Sequence, residues 1–189
     1  RGAEVGRVQT NLSRSGTDWL ITSTGREGDL VITRFEMKYG ADWQAIDLRI
    51  EATQAADKKM QLNTSFGVTT AINEITQNGV TNAKTDQISA RTVVLPNTFF
   101  AAYEALAARL SVTGPGAELP VYVVPQAEVK LAVETVTGET LQTPSGTIAT
   151  RRYEVVIQNP RGPLNATVTI DDRARLAKLE IPAAAVSVV

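Results

Sequence analysis

Polar and apolar residues alternate with a period of two along most of this chain, the repeat that a sheet with one wet face requires. VGRVQTNLSR, a turn at Ser15-Gly16 and DWLITSTG read as a first hairpin. A second turn at Arg26–Asp29 leads into DLVITRFEMKY, where Val31, Thr33, Phe35, Met37 and Tyr39 share the face expected to be buried. Gly40-Ala41-Asp42 turns the chain into WQAIDLRIEAT, in which Ile46, Leu48 and Ile50 alternate with Ala45, Asp47, Arg49 and Glu51. KKMQLNTSF, TTAINEITQ and VTNAKTDQIS continue the meander with more Thr and Asn and few large apolar residues, so thin packing is expected there. Asn78-Gly79 is a strong hairpin signal, because both positions tolerate positive φ.

The period changes once. RTVVL runs into Pro96, and LPNTFFAAYEALAARLSVTGPG then places Phe99, Tyr103, Leu106 and Leu110 at i, i+4, i+7 and i+11, with Phe100 and Ala107 widening the stripe. Asn97 or Thr98 is the expected N-cap, and Gly114-Pro115-Gly116 the stop. Strands resume with ELPVYVV, EVKLAVETVT, ETLQTPSGTIATRRYEVVIQ, PLNATVTID and ARLAKLEIPAAAVSVV. The expected turns fall at Pro125-Gln126, Thr137-Gly138, Pro144–Gly146, Asn159–Gly162 and Asp171-Asp172.

The pattern predicts a mainly β fold of about ten to twelve strands with one amphipathic helix. A long antiparallel sheet twists and curls, and the helical stripe needs an apolar partner. The expected architecture is therefore a strongly curved antiparallel half-barrel with the helix packed across its concave face. Residues 1–189 are read as a single β-rich domain: an N-terminal meander over 1–95, the helix over 96–112 and a C-terminal meander over 118–189. The chain starts at Arg1 without Met and ends on PAAAVSVV, which leads to the expectation that it is a piece of a longer polypeptide.

Composition narrows the chemistry. With 43% hydrophobic and 21% charged residues, the 189-residue chain can fill a substantial core. The formal net charge is -1, and basic residues cluster no further than pairs such as Lys58-Lys59, so no nucleic-acid partner is expected. No apolar run approaches the roughly 20 residues of a membrane-spanning helix. Cysteine is absent, which excludes disulfides. Histidine is absent too, so no Ser-His-Asp or Cys-His pair can be assembled from this chain alone. No metal-ligand spacing, Gly-rich phosphate loop or nucleophile elbow occurs, and neither a metal nor a cofactor is expected.

TIATRRYEVVIQNPRGPLNATVTIDDRARLAKLEIPAAAVSVV resembles the closing meander of exported bacterial half-barrel proteins similar to the lipoprotein carrier LolA. The resemblance rests on Arg152-Tyr153 on one strand, Asp171-Asp172 at a hairpin turn, and the apolar strand marked by Leu176, Leu179 and Pro182. VVLPNTFFAAYEALAARL followed by GAELPVYVVPQAEV resembles domains that precede α/β-hydrolase catalytic domains in exported bacterial enzymes. These likenesses cover most of residues 90–189 and are pattern-level, without a catalytic signature. They imply an exported protein, periplasmic or secreted, and an α/β-hydrolase domain as a partner following residue 189.

Individual candidates each have a structural reading beside the functional one. Asp171-Asp172 is a carboxylate pair, yet adjacent strand residues face opposite ways and Asp favours turns, so the turn reading leads. Asp18-Trp19 and Asp42-Trp43 repeat a dipeptide whose rings could form a stacking platform; packing over a sheet edge is the preferred reading. Arg151, Arg152, Arg161, Arg173 and Arg175 could converge on an anion, while pairing with Glu154 or Asp171 is the commoner use of such residues. Asn11, Asn63 and Asn165 sit in glycosylation sequons, which are discounted.

Three functions follow. The first is a non-catalytic accessory domain of an exported serine hydrolase, shaping substrate access or scaffolding the catalytic domain. The second is a carrier for a lipid or other hydrophobic small molecule, with Phe99, Phe100, Tyr103, Leu106, Tyr122 and Leu131 lining its cavity. The third, a glycosidase, needs two carboxyl groups roughly 5–9.5 Å apart across a cleft, and no such pair stands out. The first is preferred.

Overall fold

A computed structural model describes residues 4, 6–54, 58–97, 99–143, 146–159 and 162–189. The chain divides into two compact units, Arg1–Arg91 with Asn97–Ala101, and Thr92–Pro96 with Ala102–Val189.

The first unit carries sheet A, seven antiparallel strands in chain order: β1 (Gly6–Ser15), β2 (Asp18–Glu27), β3 (Leu30–Tyr39), β4 (Ala45–Gln54), β5 (Lys58–Phe66), β6 (Thr70–Gln77) and β7 (Val80–Gln87). Two-residue turns link β1 to β2 and β6 to β7, and in the latter Asn78 and Gly79 take φ of 51° and 80°, the positive values a tight hairpin demands. One face is buried through Ile21, Phe35, Met37, Tyr39, Leu48, Ile50 and Leu62. The other is polar, with Arg34 bonded to Glu36 at 2.9 Å and facing Glu51 at 3.6 Å. In β3 the buried set is Ile32, Phe35, Met37 and Tyr39 rather than one unbroken alternation from Val31. A bulge between Ile32 and Arg34 causes the switch: Thr33 is the extra residue, and its hydroxyl donates to the Glu51 carbonyl at 2.9 Å. Toward β7 the apolar face gives way to a polar chain. Thr64 Oγ1 donates to Asn73 Oδ1 at 2.8 Å, Asn73 Nδ2 donates to Asp86 Oδ2 at 3.1 Å, and Lys84 pairs with Asp86 at 2.8 Å. β7 itself is almost wholly exposed, the thin packing its composition predicts. Phe99 belongs to this unit, its ring stacked on Phe35 with centroids 5.8 Å apart.

The second unit carries sheet B, a curled half-barrel. Its strands are β8 (Val93–Pro96), β9 (Glu118–Val124), β10 (Ala127–Thr143), β11 (Gly146–Asn159), β12 (Gly162–Asp171), β13 (Leu176–Ile181) and β14 (Val186–Val188), in the spatial order β14-β13-β12-β11-β10-β9-β8. All neighbours are antiparallel except β8 and β9, which run parallel. Helix α1 (Tyr103–Leu110) lies against β8 near one end of that order and against β12 and β13 near the other, so it spans the trough. The fold class therefore agrees with the sequence pattern, a mainly β chain with a half-barrel and one amphipathic helix. The described residues hold fourteen strands rather than ten to twelve, because β8 and β14 are too short to register as separate periods.

Several local expectations are corrected. The α-helix begins at Tyr103, after a 3₁₀ turn at Phe100–Ala102, and Ala102 occupies the N-cap without a side-chain bond. Asn97 is thus not the cap, and Thr98 lies outside the described residues. At the other end the helix stops at Leu110, before the glycines. Ser111 Oγ donates to the Ala108 carbonyl and Thr113 Oγ1 to the Arg109 carbonyl, each at 2.7 Å, satisfying acceptors that a helix end leaves open. Thr137-Gly138 is not a turn. β10 runs straight through it, with Gly138 opposite Arg151, and the interruption sits instead at a bulge between Val133 and Thr135. Pro144-Ser145 and Pro160-Arg161, parts of two expected turns, lie outside the described residues.

Candidate functional site

The apolar stripe of α1 supplies the centre of the second unit. Leu106, Ala107 and Leu110 are fully buried, as are Tyr122 on β9 and Leu131 on β10, and Tyr103 is 8% exposed. Burying each large apolar side chain stabilises the fold by about 1.5–3 kcal/mol, so helix and trough hold each other. Burial pushes the Tyr103 phenol up to about 12. Of the six residues read as a cavity lining, Tyr103, Leu106, Tyr122 and Leu131 belong to this unit. Phe99, 5% exposed, and the half-buried Phe100 belong to the other.

A polar clasp fastens the helix. Glu104, in its first turn, accepts from Arg175 Nε at 3.1 Å, Arg175 Nη2 at 3.3 Å and the Leu176 backbone N–H at 3.2 Å. The turn before β13 is shaped to present that arginine: Asp171 Oδ1 accepts from the backbone N–H groups of Arg173 at 2.9 Å and Arg175 at 2.8 Å, while Ala174 takes φ 61°. Asp171 is thus a turn-builder, as the preferred reading had it. Sequence reasoning missed the clasp because its partners lie 71 residues apart.

Three of the five arginines have separate partners. Arg151 Nη1 donates to the Ser111 carbonyl at 3.0 Å and its guanidinium lies 5.9 Å from the Tyr153 ring centroid. Arg152 pairs with Glu154 at 3.3 Å and Arg175 with Glu104, while Arg161 lies outside the described residues.

The two Asp-Trp dipeptides do meet, at one end of sheet A. Trp19 and Trp43 stack with centroids 5.0 Å apart and planes 17° from parallel; Tyr39 lies 5.5 Å from Trp43, and the Arg14 guanidinium covers Trp19 at 4.2 Å. The register explains the gathering, since Arg14 pairs with Trp19 and Trp19 with Tyr39 across β1, β2 and β3. A tight turn delivers Trp43: its N–H donates to the Gly40 carbonyl at 3.0 Å, and Gly40 N–H donates to the Gln44 carbonyl at 2.8 Å. Trp43 thereby takes φ 62°, a region bulky L-residues avoid. Three buried polar atoms here have no hydrogen-bond partner: Trp19 Nε1, the Tyr39 hydroxyl and Gln44 Nε2. Asp18 faces away to Lys38 at 3.0 Å, and that hydrogen-bonded ammonium holds its carboxyl below the usual range.

A second perturbed carboxyl sits at the end of β2. Burial raises Glu27 to about 7, opposed by a hydrogen bond from the Phe100 backbone, and its Oε2 is buried without a partner. On the polar face of sheet A lie two shallow depressions of ≈ 390 and ≈ 480 Å³ that share Glu51 and Gln61 and involve none of the six lining residues.

Among the described residues no group of three or more Asp or Glu is placed to hold a metal ion, and no helix is long and apolar enough to cross a membrane. No protein-family model, curated protein or solved structure matches the chain.

Proposed function

We propose that this chain is a non-catalytic accessory domain of an exported bacterial serine hydrolase, shaping substrate access or scaffolding the catalytic domain. One observation carries the reading. The concave side of sheet B, where a half-barrel would hold substrate, is occupied by the chain's own helix, with Leu106, Ala107, Leu110, Tyr122 and Leu131 at 0% exposure. That surface serves folding. The resemblance of segments within residues 93–129 to domains that precede α/β-hydrolases supports the same reading, as does a sequence without the imidazole that acyl transfer normally uses. The test is to assay the purified chain against p-nitrophenyl acetate and butyrate. The expected result is no turnover above buffer; saturable turnover overturns the proposal.

A second reading, a periplasmic carrier for a lipid or other hydrophobic molecule in a LolA-like cavity, has one observation in its favour. The arginine of the Glu104–Arg175 clasp is half exposed, and the helix lacks a side-chain N-cap. Co-purification of a lipid with the chain would favour this carrier over a closed scaffold.

A further inference from the structure

We propose that the aromatic end of sheet A is a binding site for an organic carboxylate with a flat apolar body. The inference comes from outliers that coincide. Buried polar groups are nearly always paired in folded proteins, yet three neighbouring residues here, Trp19, Tyr39 and Gln44, each hold a buried nitrogen or hydroxyl with no partner. The backbone between them is strained at Trp43, and such strain concentrates at ligand clamps and switches.

The unpaired set defines the chemistry. An indole N–H and a side-chain amide NH₂ can only donate, and a phenol O–H donates readily. Arg14 adds a guanidinium, the group whose planar fork matches a carboxylate. Of the acidic neighbours, Asp18 is paired with Lys38, while Asp42 Oδ1 accepts from the Gln44 backbone N–H at 3.2 Å and so helps to fix the turn that carries Trp43. Trp19 supplies the π-face that Arg14 now covers, against which a flat apolar body can stack, with Trp43 packed beside it. The Tyr39 hydroxyl can also accept, so it is the Arg14 cation that favours a carboxylate over a neutral saccharide here.

Entry requires two small movements. Arg14 is exposed, and a surface cation–π contact is weak enough to exchange, so the guanidinium can leave the Trp19 face and turn to a carboxylate. The Gly40–Gln44 turn then shifts outward, relieving Trp43 and opening the three donors. This site lies within the first unit and does not depend on the accessory-domain reading.

The test uses benzoate as the probe, benzamide as its neutral counterpart and cellohexaose as the saccharide. The chain has two tryptophans, both in the cluster, so their emission reports on this place alone. Saturable quenching by benzoate is expected, weakened about tenfold or more in benzamide and in Arg14→Ala, the loss that follows from removing a charge-assisted bond. Gln44→Ala is expected to weaken benzoate binding while leaving thermal stability unchanged or raised, because it deletes an unpaired buried amide; a purely structural Gln44 would leave binding untouched. The proposal is overturned if benzoate gives no saturable change, if benzamide or the Arg14→Ala protein binds equally well, or if cellohexaose alone binds.

Discussion

Glu104→Ala should loosen the helix more than Arg175→Ala, although the two residues form one ion pair. The Glu104 side chain is 12% exposed and accepts three bonds, whereas that of Arg175 is 46% exposed and makes two of them. Removing Glu104 leaves the part-buried Leu176 N–H without its acceptor, worth about 1–3 kcal/mol. Loss of the exposed half of the clasp adds no more than about 1 kcal/mol. The sum is about 1–4 kcal/mol for Glu104→Ala. Arg175→Ala keeps the Leu176 bond and should cost about 1 kcal/mol. Both tryptophans report on the first unit, so the assay must look elsewhere. Urea unfolding followed by NMR at the amides of Tyr103–Leu110, on the wild type, both single variants and the double, gives the two costs and their coupling. A Glu104→Ala cost below about 0.5 kcal/mol, or an Arg175→Ala cost that exceeds it, would refute the reasoning.

Leu106 sits at 0% exposure on the helix, so Leu106→Ala should cost about 2–5 kcal/mol through the cavity it leaves, and Leu106→Asp should prevent the second unit from folding; urea midpoints check the first and solubility with far-UV circular dichroism the second. Glu27 is raised from 4.5 to about 7 in the folded chain, so folding takes up a proton between those values. Its contribution to stability is fully present below pH 4.5 and is lost as pH rises through about 7; Glu27→Gln should flatten that slope in urea midpoints measured from pH 4.5 to 8. Gly25 takes φ 149°, and a Cβ there would run into the Arg7 carbonyl oxygen. Gly25→Ala should therefore loosen β1, at about 1–3 kcal/mol, read as faster amide exchange over Gly6–Ser15.

What could be read from the sequence follows the range of each interaction. The β6–β7 hairpin was legible because Asn78-Gly79 states its turn locally. The helical stripe was legible at Tyr103, Leu106 and Leu110, because a period of 3.6 stands out against a period of two. Its start was not. Pro96-Asn97-Thr98 has the composition of a helix entrance, but the segment from Asn97 to Ala101 belongs to the first unit, where Phe99 packs on Phe35. In β3 both alternation phases carry apolar residues, Val31 in one and Ile32 in the other, so the pattern could not disclose the bulge at Thr33 that selects Ile32. The Asp-Trp repeats were visible as words. That the rings stack depends on the β1–β2–β3 register and on the Gly40–Gln44 turn, neither of which a periodicity reports. The Glu104–Arg175 clasp joins two ordinary surface residue types across most of the second unit's sequence and leaves no local trace.

The division of labour proposed for the second unit turns on whether the space between helix and trough is filled by protein. Native mass spectrometry of the freshly purified chain asks this directly. The account predicts one species at the mass of the bare polypeptide, 20.3 kDa. A population heavier by the mass of a lipid, retained under gentle activation and lost on denaturation, would contradict it.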